Sequence, residues 1–254
     1  MCTLTLFATH QGYLLGMNRD EQRNRPIALN VHEGKTHKGL DVIYPIDPQG
    51  GGTWLGVNKN GLSLALLNQS PIGYQKPKID LNSRGIIIPK LILCESAEIA
   101  LQKLSMLELK YFAPFQIVAI DSTQVAYSAK WDGKKIEAYT HHKLPFLAAS
   151  SSWNEIEVQK YRHAKFLEFT KGISEITPEH LKCFHQQKEI ELEAFSVNMS
   201  REDAQSVSYN QIEFNQNRLI FSYYLASSDC KNHFTLSHSA ELKVQPTRNH
   251  RIQA

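Results

Sequence analysis

An alternating pattern at the start of the chain is the strongest constraint on its fold. Apolar side chains at Cys2, Leu4 and Leu6 alternate with threonines, as they do in a strand that has two different faces. A turn at residues 10–12 leads into a second extended run over residues 13–17, which predicts a β-hairpin. The residues that follow this second run therefore return to the side of Cys2.

Composition and length favour one globular domain. The chain has 254 residues, of which 42% are hydrophobic and 21% charged, and these values exclude wholesale disorder. Its longest apolar runs, such as residues 91–94, are far shorter than the roughly 20 residues of a membrane-spanning helix. Since no repeat or Pro/Gly/Ser-rich linker divides the sequence, we expect a single domain over residues 1–254. The net charge of +3 is too small to indicate nucleic acid or an anionic membrane as a partner.

The N-terminus and the cysteines indicate the compartment. The first ten residues contain no Lys or Arg, and no small-residue cleavage site follows a long apolar stretch, so a secretory signal is not expected. The cysteines are widely separated and form no CxxC pair, which argues against a zinc knuckle, a disulfide scaffold and a thioredoxin-type site. We therefore expect a reduced, cytoplasmic protein without a metal site. The cysteines are Cys2, Cys94, Cys183 and Cys230.

Periodicity predicts strands at both ends of the chain and helices between them. Alternating runs predict strands at residues 53–57, 62–67, 115–120, 124–131, 134–139, 206–214 and 218–224. Apolar spacing predicts helices near 87–94, over 97–104 after a Ser96 cap, from a capping box at Ser152 to Gly172, and from Pro178 onward. We interpret the polar residues 22–50 as a long surface excursion. This order of elements predicts a mixed α+β fold with antiparallel sheets.

Cys2 is the sharpest chemical feature of the sequence. A small residue after the initiator Met allows that Met to be removed, which leaves a cysteine whose own α-amino group is free. The α-amine has a pKa of about 7.7–8.0 and the thiol about 8.5, so the amine is a competent base at neutral pH. One residue then supplies both nucleophile and base. The alternative is that a cysteine at position two has no function at all.

Two further segments give this cysteine a context. The tetrad Asn18–Glu21 ends the second run of the hairpin, where a carboxylate can orient the amine and a guanidinium can favour the thiolate; the alternative is a solvated run of charge. Asn68 follows the apolar run 62–67, and its amide can donate to an oxyanion. It can equally well do no more than end a strand.

Taken together, these motifs resemble the NRDE family, which includes the Transport and Golgi organisation protein 2 of eukaryotes. The resemblance covers nearly the whole chain. That family is in turn similar to the N-terminal-nucleophile (Ntn) hydrolases of the penicillin V acylase and choloylglycine hydrolase type. The resemblance implies a four-layer αββα sandwich with Cys2 at the end of a central strand. The matching segments are the start at Cys2, Asn18–Glu21, Gly51–Gly56, Ser83–Gly85, Ser150–Trp153 with Arg162 and Phe166, and Met199–Ala204.

The same resemblance implies a set of site residues. The catalytic residues are Cys2, Arg19, Asp20 and Asn68, and the substrate-binding residues are Asn18, Glu21, Trp54 and Ser151. The sequence departs from the acylase pattern because Met17 stands where an arginine is expected, so Arg19 is predicted to take that role. Ser151 or a neighbour replaces a later asparagine, and a late arginine has no clear counterpart.

Two functions follow as expectations from this resemblance. The first is an Ntn-type amidohydrolase that needs no cofactor and cleaves a non-peptide C–N bond of a small-molecule substrate. The alternative is a non-catalytic carrier of haem or an acyl ligand on the same fold, in which a Cys2 thiolate ligates the haem iron. A purely structural role would leave the chemistry around Cys2 unexplained.

Overall fold

A computed structural model of the chain describes residues 2–227 and 233–244. Within these residues the chain forms thirteen strands and four α-helices. The strands are β1 (Cys2–Thr9), β2 (Gly12–Gln22), β3 (Val31–Lys35), β4 (Asp41–Pro45), β5 (Leu55–Asn58), β6 (Ser63–Asn68), β7 (Phe115–Ile120), β8 (Ala126–Trp131), β9 (Ile136–His141), β10 (Phe146–Ser150), β11 (Ala204–Asn215), β12 (Arg218–Ala226) and β13 (Phe234–Lys243). The helices are α1 (Ile87–Leu91), α2 (Ala97–Ser105), α3 (Glu155–Thr170) and α4 (Pro178–His185).

Over the described residues the strands form two sheets in which neighbouring strands are antiparallel. The first sheet has the order β10-β1-β2-β11-β12-β13, and the second runs from β3 to β9 in chain order. The predicted N-terminal hairpin is present as β1 and β2, with Cys2 directly opposite Arg19. Because β1 also pairs with β10, Cys2 lies at the end of a strand that has a neighbour on both sides.

Alternation along the strands builds four layers. One face of each sheet packs against the other sheet, as Leu4 and Leu15 of the first sheet do with Leu67 and Val118 of the second. The outer face of the second sheet is covered by α1 and α2, and that of the first by α3 and α4. The fold is therefore the predicted αββα sandwich, with the apolar face of each element turned toward the neighbouring layer.

Several elements differ from the sequence prediction. Residues 22–50 are not a simple excursion, because β3 and β4 extend the second sheet there. The strands β10 and β13 were not predicted, and β13 is an edge strand whose mostly exposed side chains give little alternation. Helix α3 begins at Glu155 after Asn154, whose φ is 43°, so the predicted cap at Ser152 is wrong. The Ser96 cap is confirmed, since its side chain accepts a hydrogen bond from the Ile99 N–H.

The turn between β5 and β6 is fixed by buried polar groups. Gly61 has a φ of +80°, a conformation that glycine adopts without steric cost. The Asn58 amide donates to the carbonyl oxygens of Ile92 and Cys94, and the Tyr13 hydroxyl of β2 donates to the Gly61 carbonyl oxygen. These bonds hold the β5–β6 hairpin against both the first sheet and the segment after α1.

Candidate active site

A cavity of about 690 Å³ opens at the end of the sandwich where β1 begins and β2 and β6 end. The two sheets contribute to it from opposite sides. The elements that line it are far apart in sequence, so the cavity exists only in the folded chain. Among the residues predicted from sequence, Cys2, Arg19, Asp20, Glu21, Trp54 and Asn68 line this cavity.

Cys2 is held by its backbone. Only 5% of the residue is exposed, and its N–H donates to the Ser150 hydroxyl at a distance of 3.2 Å. Ser150 is the last residue of β10 and lies opposite Cys2 in the sheet. A hydroxyl that can both accept and donate is well suited to hold an amine at this position. Met1 lies outside the described residues.

The surroundings of the Cys2 thiol act on its acidity in opposite directions. Burial raises the pKa of the thiol, and the Asp20 carboxylate raises it further. The positive charge of the N-terminus lowers that pKa most, and the Arg19 guanidinium and a hydrogen bond from the Asp20 backbone lower it further, but burial prevails. The sulfur is therefore a thiol at neutral pH, and a nearby base is required to turn it into a nucleophile.

Asp20 belongs to a buried polar network. One of its carboxylate oxygens accepts a 2.6 Å hydrogen bond from the Ser206 hydroxyl, and the other forms an ion pair with Arg162 Nη1 at 3.3 Å. Arg162 Nη1 also donates to the Thr3 hydroxyl at 2.6 Å. Because α3, β1, β2 and β11 all contribute to this network, it fixes the backbone of β2 beside Cys2.

Arg19 is surrounded by groups that neutralise and stack on it. Its guanidinium carbon lies 4.4 Å from the centre of the Trp54 ring, and Nη2 lies 3.2 Å from a Glu21 carboxylate oxygen and 3.7 Å from one of Asp47. Arg25 pairs with both of these carboxylates. Burial raises the pKa of the Asp47 carboxyl, but the hydrogen bond from Arg25 and the charges of Arg19 and Arg25 outweigh it and lower that pKa. Asp47 is therefore a carboxylate at neutral pH.

Asn68 offers an unused amide at the cavity wall. It is the last residue of β6 and is partly buried. Its side chain has no hydrogen-bond partner within residues 2–227 and 233–244. An amide N–H that is held at a strand end and is free of protein partners can donate to a ligand oxygen.

Two residues that were predicted to bind substrate lie elsewhere. Asn18 is fully buried, and its amide donates to the carbonyl oxygens of His185 and Val197. The Ser151 hydroxyl donates to the Trp153 carbonyl oxygen within a local turn. Neither residue lines the cavity. Asn18 alternates with Arg19 along β2 and so points into the helical layer, whereas the serine that contacts Cys2 is Ser150.

Sequence reasoning gave no role in the site to three residues that contribute to it. Ser150 is paired with Cys2 through a strand that was not predicted, and Asp47 follows β4, which was interpreted as surface. Arg162 gave a usable signal, because the buried residues of α3 are Val158, Arg162 and Phe166, at successive spacings of four. An arginine on the apolar face of a helix predicts a buried partner.

The described residues contain no group of three His, Cys, Asp or Glu side chains that could hold a metal ion. None of the helices in the part of the chain that the structure describes is long and apolar enough to cross a membrane. Cys230 lies outside the described residues.

The two antiparallel sheets and their helical outer layers define an α+β sandwich with an Ntn-hydrolase-like fold. Comparison with known proteins supports this fold and gives the family. A family model described as Transport and Golgi organisation 2 matches residues 1–241, so the chain belongs to that family. This confirms the resemblance inferred from the motifs. No protein with a curated description matches the chain by sequence.

Solved structures with the same fold are distant in sequence. Penicillin V acylase from Agrobacterium tumefaciens is similar with a TM-score of 0.54 and 10% identity, over 89% of this chain and 83% of that one. A Caenorhabditis elegans N-acylethanolamine-hydrolyzing acid amidase ortholog is similar with a TM-score of 0.58 and 12% identity, over 83% of this chain and 92% of that one. A mutant conjugated bile acid hydrolase from Clostridium perfringens is similar with a TM-score of 0.51 and 13% identity, over 96% of this chain and 92% of that one. These likenesses establish the fold alone.

Proposed function

We propose that this protein is an amidohydrolase of the N-terminal-nucleophile type, with Cys2 as the nucleophile and its own α-amine as the base. One observation carries the proposal: Cys2 from the first sheet and the unpartnered amide of Asn68 from the second line the same cavity. A nucleophile and an oxyanion donor must both reach the scissile carbonyl. Groups that can hold the amine and favour the thiolate also lie next to Cys2.

The first step follows from the protonation state of the thiol. Removal of Met1 leaves the α-amine of Cys2 where the Ser150 hydroxyl now accepts from its N–H. The amine takes the thiol proton, and the thiolate attacks the amide carbonyl of the substrate. Arg19, directly opposite Cys2, favours the negative sulfur, and Asp20 keeps the ammonium and the strand in place. The carbonyl oxygen becomes an oxyanion that accepts a hydrogen bond from Asn68.

The second step releases the amine. The tetrahedral intermediate collapses, the C–N bond breaks, and the α-ammonium group returns its proton to the leaving nitrogen. Water then attacks the thioester, with the same amine as base, and the acid product leaves with Cys2 restored. The α-amine of Cys2 accepts and returns the proton in both steps, so no separate histidine base is required.

The state of the N-terminus tests this mechanism directly. Intact-mass measurement of natively expressed protein should show loss of one Met, and acetylation of the α-amine, which converts it into a non-basic amide, should remove turnover of an N-acyl amide as fully as Cys2→Ala does. Cys2→Ser should fold normally yet react poorly, because a hydroxyl is far less acidic than a thiol. Full retention of Met1 in an active protein contradicts the mechanism.

Labelling with a covalent probe distinguishes the amidohydrolase hypothesis from the carrier hypothesis. An electrophilic amide or β-lactam should form an adduct on Cys2 and leave Cys183 unmodified, although Cys2 is buried and Cys183 exposed; Cys183→Ala is the matched control. Asn68→Ala should lower kcat by about 10²- to 10³-fold, as expected for loss of an oxyanion donor. A Soret band in protein purified with haem, lost in Cys2→Ala, would instead favour the carrier.

A further inference from the structure

Arg84 is a cation of the cavity wall that the proposed chemistry does not use. It begins a short 3-10 turn over Arg84–Ile86 and lines the same cavity as Cys2. Its Nη1 donates to the Pro114 carbonyl oxygen at 2.8 Å. Its other N–H groups have no hydrogen-bond partner, and no carboxylate lies within ion-pair distance of it in the described part of the chain. The guanidinium is therefore oriented by one bond and otherwise available.

The other arginines at the cavity are neutralised. Arg19 and Arg25 share the carboxylates of Glu21 and Asp47. Lys76 at the rim is exposed and, like Arg84, has no ion pair among residues 2–227 and 233–244. The Glu21 carboxylate acts on Arg84 through space, and Arg84 and Cys2 line the same cavity. Two positive charges in this cavity thus lack a protein counter-ion.

Close backbone packing fixes the position of Arg84. The Thr53 N–H donates to the Gly85 carbonyl oxygen at 3.0 Å, and a Cβ added to Gly52 would lie 2.3 Å from the Gly85 carbonyl carbon. Only glycine permits this approach. The motifs Gly51–Gly56 and Ser83–Gly85 therefore meet at this point, and they hold Arg84 in a constant place relative to Trp54.

A partly buried cation without a counter-ion is stabilised when an anion binds to it. Burial lowers the pKa of Arg84, yet an arginine stays protonated at physiological pH, so its charge persists. Guanidinium groups bind planar carboxylates through two parallel hydrogen bonds. We propose that Arg84, assisted by Lys76, binds a carboxylate of the substrate, so that the substrate class is an amide bearing a carboxylate, such as an N-acyl amino acid. This inference rests on the proposed function in treating the cavity as the substrate site.

Binding to the inactive Cys2→Ala variant tests this inference without requiring turnover. The probes are N-acylglycines with acyl chains from four to sixteen carbons, each paired with the neutral N-acylglycinamide of the same chain length. Isothermal titration calorimetry should show that the acid binds roughly tenfold to a hundredfold more tightly than its amide, as expected for a hydrogen-bonded charge pair. Arg84→Gln should remove this difference, and Lys76→Gln should reduce it and its salt dependence.

Arg218→Gln is the matched control. Arg218 pairs with Glu241 on the surface and does not line the cavity, so this variant loses the same charge and should keep the preference for the acid. The inference is overturned if no acid binds, if acid and amide bind equally, or if Arg84→Gln keeps the preference. Selective binding of the acid without turnover in the wild type would support the carboxylate site while refuting the hydrolase.

Discussion

At the scale of single residues, the unusual feature is a buried ion pair beneath the candidate nucleophile. The Arg162 side chain is 1% exposed and that of Asp20 0%. Charges in such a place are stable only when they are paired and hydrogen-bonded. Here Thr3 and Ser206 supply the additional hydrogen bonds. The pair joins α3 to the backbone of β2 beside Cys2, so it supports the geometry of the site from the helical side.

We predict that Arg162→Leu lowers the free energy of unfolding by about 3–5 kcal/mol, because it leaves the Asp20 carboxylate buried without its cation. Denaturant titration measures this change. Arg218→Gln removes an exposed pair and should cost at most about 1 kcal/mol. Similar losses for the two variants would show that the buried pair does not stabilise the fold.

At the scale of elements, α4 is attached to the first sheet by a neutral histidine. The His185 ring lies against Gly16, where a Cβ would be 2.6 Å from Nε2. Since the Asn18 amide nitrogen donates to two carbonyl groups, its oxygen must accept from His185 Nδ1 at 3.1 Å. Nε2 then accepts from the Thr5 hydroxyl at 2.7 Å. The histidine therefore satisfies both of its nitrogens without carrying a charge.

This arrangement predicts a loss of stability in acid. Burial, and to a lesser degree Arg162, lowers the pKa of His185 to about 3 from its ordinary 6.5. On acidification, His185 is protonated at a higher pH in the unfolded chain than in the folded one. Its contribution to the free energy of unfolding is therefore complete above pH 6.5 and is lost as the pH drops toward 3. The contribution of this residue is about 1.4 kcal/mol per pH unit.

Comparison with His185→Gln isolates that contribution. Free energies of unfolding should be measured from pH 8 to pH 4 for the wild type and for the variant. The difference between them should narrow on acidification, since glutamine does not titrate. A constant difference across this range would show that the histidine does not change its protonation between the folded and unfolded states.

At the scale of the whole molecule, the central strands of the sheets are protected and the edge strands are exposed. In the first sheet β1, β2 and β11 each pair on both sides, whereas β3 and β9 form the borders of the second sheet. Most residues of β9 are exposed or only partly buried. Local openings require little free energy where few buried contacts are lost. The strands that carry Cys2, Arg19 and Asp20 therefore belong to the most stable part of the molecule.

Amide hydrogen exchange should follow this division. We predict that amides of β1, β2 and β11 exchange only through global unfolding, and that those of β3 and β9 exchange roughly a hundredfold or more faster. Mass spectrometry of peptic fragments under native conditions measures the rates by segment. Equal protection of β9 and β1 would contradict this account of where stability resides.

The sequence by itself determined the parts of this protein that depend on neighbouring residues. The alternation at Cys2–Leu6 and the turn after it predicted the hairpin that places Arg19 beside Cys2. Periodicity predicted most interior strands, and the motifs predicted the family and the four layers. These features follow from local backbone preference and from the burial of one face, and both are written in short stretches of sequence.

Only the tertiary structure decided which distant residues meet. Ser150 reaches the Cys2 backbone across 148 positions of sequence, through an edge strand with little alternation. Asp47 and Arg162 become part of the site because the loop after β4 and helix α3 pack there. Asn18 was turned away from the cavity because β2 presents successive side chains to opposite layers. Pairing between sheets and helices is set by the packing of the whole core, and no short stretch of the chain contains that information.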